Sequence, residues 1–326
     1  MQPSDLRMLD ILRRGYGMLL IMNIALLWID RHELFGAGSY LPAQAARGVV
    51  DQDTFNLYMI FPDHPASITF ALLVIAFCGV LMIIGSWPRI AAAVTLFFLT
   101  SVHHANVMLV DAEDSVFRLF AFFLIFVPPW KTLRRQRTDA DPAEPQAVIY
   151  PAWPLRLFQL QICIIYFCSG IQKSNGQEWL DGTAYYYVNR LDDLTLLHVP
   201  AAITESMDWS QFLSWSTVGF ELLIPFLIWI PKLRWPCLGV VFTFHVLADL
   251  SLNLHLFHWI MLLGLVSFVN YEEWDWLRRK LLRQQDDTQI MLNRFNGKNL
   301  PAFRTTEPAR AIKPKPNPRR EKETVK

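Results

Sequence analysis

A handful of ionisable side chains stand in stretches that are otherwise oily, and they set the chemistry this chain could perform. Lys173 follows an apolar run inside YFCSGIQKSNGQEWLDG, residues 166–182. Tyr166, Gly170 and Lys173 are spaced to share one helix face, and a glycine there lets a second backbone or a ligand come close. An amine at such a place has two uses. It can snorkel to lipid headgroups, or it can turn inward, where desolvation disfavours the ammonium form and prepares the nitrogen to act as a general base.

Glu221 lies near the middle of WSTVGFELLIPFLIWI, out of easy reach of any headgroup. Charge is costly in hydrocarbon, so a partner is expected, and Arg118, His245 or a bound ligand are the candidates. His245 and Asp249 are one helical turn apart, as are His255 and His258. Their nitrogen and oxygen donors could hold a metal, but the spacing matches no defined ligand set, and hydrogen-bonded or interfacial histidines are the plainer reading. No metal is predicted. Asp111, Asp114 and Arg118, also at helical spacing, read as a local ion-pair group with Arg118 as a partly buried charge.

The elements that must position these residues are membrane helices. Apolar residues make up 53% of the 326, with 12 Trp and 23 Phe, a composition that suits a surface facing lipid. A hydrocarbon layer about 30 Å thick needs about 20 helical residues, and ITFALLVIAFCGVLMIIGSW, from Ile68, supplies them. Further spans are expected at 15–29, 90–102, 117–130, 154–171, 215–230, 237–250 and 254–270, making an all-α bundle of about eight transmembrane helices. Pro225 is expected to kink the sixth of these. Cys78, Cys163, Cys168 and Cys237 form neither CxxC pairs nor a zinc pattern and read as inert thiols.

Basic residues concentrate in cytoplasmic loops. Arg7, Arg13 and Arg14 precede the first span, Arg89 follows the second, Lys131, Arg134, Arg135 and Arg137 follow the fourth, and Lys232 and Arg234 follow the sixth. Both termini are therefore expected in the cytoplasm. The chain divides into a cytoplasmic segment 1–14, a membrane domain 15–276 and a basic, proline-containing tail 277–326 of disordered character. On this topology Lys173, Asn106, Asp111, Asp249 and His255 all approach the outer side. A net charge of +1 and the absence of a nucleotide-binding glycine loop give no reason to expect nucleic acid as a partner.

YFCSGIQKSNGQEWLDGTAYYY resembles a stretch of vitamin K-dependent γ-glutamyl carboxylase, with Lys173 at the second of a lysine pair and Gly170, Trp179, Asp181 and Gly182 at flanking positions. Gln172 stands at the first lysine of that pair. FTFHVLADLSLNLHLF is similar to that family's Phe-His span, which places His245 at its histidine. HHANVMLVDAEDSVFRLFAFFLIFVP and ELLIPFLIWIP resemble recurrent patterns of the wider HTTM (horizontally transferred transmembrane domain) family. The resemblance implies a multi-pass protein of the cell (inner) membrane. It implies an outward polar cavity for a reduced, vitamin K-like quinone, with Lys173 as general base and His245 positioning substrate. Trp179 would wall the pocket, Asp181 and Gly182 would shape the loop, and Asn106, Asp111, Asp249 and His255 would contribute to binding. Expected partners are membrane lipids, the lipophilic quinol and a partner protein. A noncatalytic accessory, immunity or transport role for the same bundle is the alternative expectation.

Overall fold

The computed structural model describes residues 4–35, 39, 65–106, 110–128, 149–191, 195–197, 200–252, 254, 256–270 and scattered positions from 273 to 280. Helices dominate the described residues. They are α1 (Leu6–Ile29), α2 (Arg31–Leu34), α3 (Pro65–Ile84), α4 (Pro88–Ala105), α5 (Ala112–Leu124) and α6 (Trp153–Ser174). There follow three short helices, α7 (Gln177–Leu180), α8 (Ala184–Val188) and α9 (Ala201–Thr204). The chain then enters α10 (Met207–Leu227), α11 (Pro231–Ser251) and α12 (Phe257–Leu265), which runs into a single 3₁₀ turn, Val266–Phe268. Two residues near each end of the first half, β1 (Ser4–Asp5) and β2 (Ile149–Tyr150), pair antiparallel.

Proline marks several starts: Pro88, Pro154 and Pro231 occupy first-turn positions of α4, α6 and α11, where the missing N–H costs nothing. Four helical stretches are long and apolar enough to cross a membrane, Met8–Ile29, Ala66–Ile84, Trp153–Ser174 and Pro231–Ser251. Their outward faces carry exposed Met18, Phe77, Ile164 and Phe242, a pattern that suits lipid rather than water as the surrounding solvent. The inward faces form one core, in which Leu12, Tyr16 and Leu20 of α1 lie with Leu72 and Ile75 of α3 and Phe117 and Phe120 of α5.

Cross-contacts show that successive long helices alternate in direction. At one end, Arg89 at the start of α4 donates to the carbonyl of Val127 beyond α5 at 3.0 Å. Arg156 at the start of α6 lies over the Trp229 ring beyond α10, at 5.1 Å, and Gln159 donates to Ser267 O at 2.7 Å. Arg234 pairs with Glu273 at the same end. Toward the opposite end, Glu113 accepts from Asn23 Nδ2 of α1 at 3.0 Å and from the backbone N–H of Leu256, the residue before α12, at 2.8 Å. Asn106, at the end of α4, donates to Leu34 O of α2 at 2.9 Å.

Several helix limits differ from those the apolar runs mark. α10 begins at Met207 rather than near residue 215, and it passes through Pro225 as one continuous helix. α5 begins at Ala112, where Asp111 and Asp114 cap its start, and ends at Leu124, before the apolar run does. The chain from Met1 to Trp274 forms one compact unit and Asp275–Lys326 a second. The tail from residue 281 and the basic residues 131–137 lie outside the described residues.

Candidate functional site

The site begins with a close approach of two helices. A Cβ on Gly170 would stand 2.9 Å from Leu222 Cδ2 and 3.2 Å from the Leu222 backbone nitrogen, so only a glycine lets α6 and α10 meet here. Leu222 is beside Glu221. The approach brings Lys173, three residues after Gly170, onto that carboxylate: Nζ lies 2.9 Å from Oε1 and 2.9 Å from Oε2. Ser169, one turn before the lysine, accepts from Nζ at 2.6 Å. The lysine therefore turns inward rather than snorkelling. Glu221 is buried at 4% exposure, whereas the Lys173 side chain keeps 22%, so the pair has one dry end and one that reaches the loop.

Lys173 is the partner of Glu221, in place of the expected Arg118 or His245. Arg118 is half-buried on α5 and donates to Ser115 Oγ at 3.3 Å. Asp111 and Asp114 do not form an ion-pair group with it. They make a capping box, in which Asp111 Oδ1 accepts from the Asp114 N–H at 3.1 Å and Asp114 Oδ2 from the Asp111 N–H at 3.2 Å. A carboxylate at a helix start satisfies free N–H groups there, and that local reward outweighs a salt bridge one turn away.

The loop after Lys173 folds over the pair. The Trp179 ring lies 5.2 Å from Nζ, within cation–π range, and meets the Tyr185 ring edge-on with centroids 6.2 Å apart. Asp181 Oδ1 accepts from both the N–H and the hydroxyl of Thr183, at 3.0 and 2.6 Å, which tightens the turn and holds the carboxyl below the usual aspartate range. Gly182 has φ +81°, and a Cβ there would stand 2.5 Å from Gln211 Cγ. Its carbonyl accepts from Ser210 Oγ at 2.7 Å and Ser214 Oγ at 3.2 Å. Tyr185 O–H and Thr217 Oγ1 are 3.1 Å apart.

Ser210, Ser214, Thr217 and Glu221 thus form one polar stripe down α10. The spacing of three and four residues is readable in the sequence, yet the serines and threonine are of types too common to single out. The stripe also explains the early start of α10. With Gly170 level with Leu222, the first eleven or so residues of α10 extend past the end of α6 by roughly 16 Å, and the loop packs on this projection.

A second group sits on the other side of Tyr166. Its hydroxyl lies 2.5 Å from His245 Nε2, and His245 Nδ1 lies 2.7 Å from His258 Nδ1. All three are buried, at 3%, 1% and 3% exposure. His258 Nε2 has no hydrogen-bond partner among the described residues. Asp249 is half-buried one turn beyond His245, and His255 lies outside the described residues. No group of three or more metal-binding side chains occurs among the described residues. All four cysteines are free thiols.

Ser169 and Glu113 were not anticipated as members of this polar interior; Tyr166 and His258 stood out by their helical spacing, but the contact each makes with His245 was not foreseen. A half-buried lysine bonded to a buried glutamate beneath an aromatic ring, with a tyrosine–histidine–histidine line beside it, can accept, hold and pass protons in a water-poor setting.

This bundle with its polar interior defines a multi-helix membrane-type protein, and the HTTM domain family model matches residues 1–276, so the chain belongs to the HTTM domain family. The uncharacterized protein YitO of Bacillus subtilis (strain 168) is similar, at 24% identity over 189 residues, which is 56% of this chain. The chain spans 60% of that relative's length. No solved structure matches the chain.

Proposed function

We propose that this is a multi-pass protein of the cell membrane, with eight spans and cytoplasmic termini, that binds a lipophilic quinol beside Lys173 and Glu221 and removes its hydroxyl proton. The supporting topology is the alternation of helix directions, with Arg13, Arg89, Arg156 and Arg234 all belonging to the starts of helices that run the same way. Cytoplasmic enrichment of arginine then sets Lys173 toward the outer side.

The observation that carries the chemistry is the inward-turned Lys173 on a carboxylate that is nearly sealed from solvent. A paired ammonium and carboxylate are together neutral, so the unit is tolerated in an apolar interior and can take up one proton. When a quinol hydroxyl approaches, the carboxylate, or the lysine after handing its own proton to Glu221, accepts the hydroxyl hydrogen, and the resulting positive pair stabilises the oxyanion. Ser169 holds the ammonium in place, and Trp179 offers a flat face to an aromatic ring. The reduced quinone supplies the reactive oxygen when bound; whether oxidation or a carboxylase-like step follows depends on the second substrate.

The second reading, a noncatalytic accessory, immunity or transport component, draws on the same observation: an ion pair with both carboxylate oxygens engaged is also a good staple between α6 and α10. Purified full chain in vesicles, supplied with a menaquinol or a vitamin K hydroquinone, separates the two. The enzyme reading expects wild-type quinol oxidation that is lost in Lys173→Met while the protein stays folded. Wild-type protein that neither binds nor turns over quinol supports the staple.

A further inference from the structure

We infer that Tyr166, His245 and His258 form a buried proton relay that drains the Lys173–Glu221 site to the free Nε2 of His258. The inference deepens the reading above and rests on that pair receiving a proton.

Four observations carry it. Both ring nitrogens of His245 are engaged, one by a tyrosine hydroxyl at 2.5 Å and one by a second imidazole at 2.7 Å, so His245 can pass a proton through without gaining one. The line is shielded from water along its whole length, with no residue above 3% exposure. Its far end, Nε2 of His258, is buried and has no hydrogen-bond partner among the described residues. The near end lies on the side of the site: Tyr166 shares a face of α6 with Gly170 and Lys173, two turns before the lysine.

The tautomers allow a balanced transfer. In the resting line the tyrosine donates to His245 Nε2, His245 Nδ1–H donates to His258 Nδ1, and His258 carries its hydrogen on Nε2. On transfer the Tyr166 O–H breaks as an Nε2–H forms on His245. The His245 Nδ1–H breaks as an Nδ1–H forms on His258, and the His258 Nε2–H leaves to a water that enters beside this nitrogen. The proton held by the Lys173–Glu221 pair then restores the tyrosine hydroxyl. No residue of the line changes net charge between the two end states, which keeps the cost in an apolar interior low. The histidines need no metal for this, and a single-file chain is what their pairing through Nδ1 provides.

The test uses the full chain, labelled with ¹⁵N-histidine and reconstituted in nanodiscs, and needs no substrate. The ring hydrogen shared by His245 and His258 is followed by NMR after transfer to deuterated buffer. A relay exchanges this hydrogen through the line, so Tyr166→Phe, which preserves the ring but removes the O–H, slows exchange by about tenfold or more. A purely structural cluster exchanges by local opening, and the same variant, having lost a hydrogen bond, leaves the rate unchanged or raises it. Either of those results overturns the relay. If Tyr166→Phe does not fold, trifluorotyrosine at position 166 replaces it: a more acidic donor speeds relay exchange and leaves opening-limited exchange alone. Lys173→Met and Glu221→Gln address the site reading separately. Slowing by Tyr166→Phe but by neither of these two keeps the relay and removes the pair as its proton source.

Discussion

Removing Lys173 alone should cost more than removing both members of the Lys173–Glu221 pair. Lys173→Met leaves a carboxylate at 4% exposure without its ammonium, and an unpaired buried charge of this kind costs about 3 kcal/mol. Glu221→Gln is milder, because Lys173 keeps 22% exposure and can turn toward the loop while an amide oxygen still accepts its hydrogen bond. About 1–2 kcal/mol is expected there. In the double variant an apolar chain faces a neutral amide, no charge remains to be solvated, and the total should be about 2 kcal/mol. The coupling between the two sites is then about 2–3 kcal/mol, well above the few tenths seen for independent positions. The assay is reversible unfolding of all four proteins in bicelles titrated with SDS, repeated at high salt. Salt should change little, since a pair shut away from water is weakly screened. Additive single effects, or a coupling that salt abolishes, would mean that the two groups meet in solvent, and the argument from a dry interior would fail.

Two further outcomes follow from the loop and the bundle. Gly182→Ala places a Cβ 2.5 Å from Gln211 Cγ at a positive φ, so the loop should lift from α10 at a cost of about 2–4 kcal/mol. Faster proteolysis between residues 176 and 206, with the membrane core intact, is the readout. Glu113→Leu deprives Asn23 Nδ2 and the Leu256 N–H of their shared acceptor and should lower stability by about 2–4 kcal/mol, measured in the same SDS titration. Glu113→Gln, which retains an acceptor, should lose less than half of that.

Much of this arrangement could be read from residues alone, for identifiable reasons. The helical class followed from apolar runs of bilayer length, and the 166–170–173 face from helical periodicity. What escaped the sequence was pairing between distant segments. Glu221 was visibly in need of a partner, yet the choice of Lys173 depends on how closely Gly170 lets α10 approach, a property of two surfaces and not of either strand of text. Asp111 and Asp114 misled in the opposite way: their spacing with Arg118 suits ion pairing, but the backbone N–H groups of α5 compete for the carboxylates and win. His258 drew attention through its neighbour His255, whereas the contact that places it is with His245 on another helix. The limits of α10 were missed because Ser210, Ser214 and Thr217 lower its apolar content where the loop packs.

That serine-and-threonine stripe has a consequence for how the chain is made. α10 is 21 residues long, yet it is absent from the helices apolar enough to cross a bilayer by composition. A charged residue at midspan adds about 2.5–3.5 kcal/mol to insertion of a lone segment, and α10 carries Glu221 there. It should therefore leave the translocon poorly on its own and wait for α6, already synthesised and carrying the compensating amine, to escort it into lipid. Biogenesis and the site are then governed by the same contact, so variants that disarm Lys173 should lower the amount of protein reaching the membrane even before any chemistry is assayed.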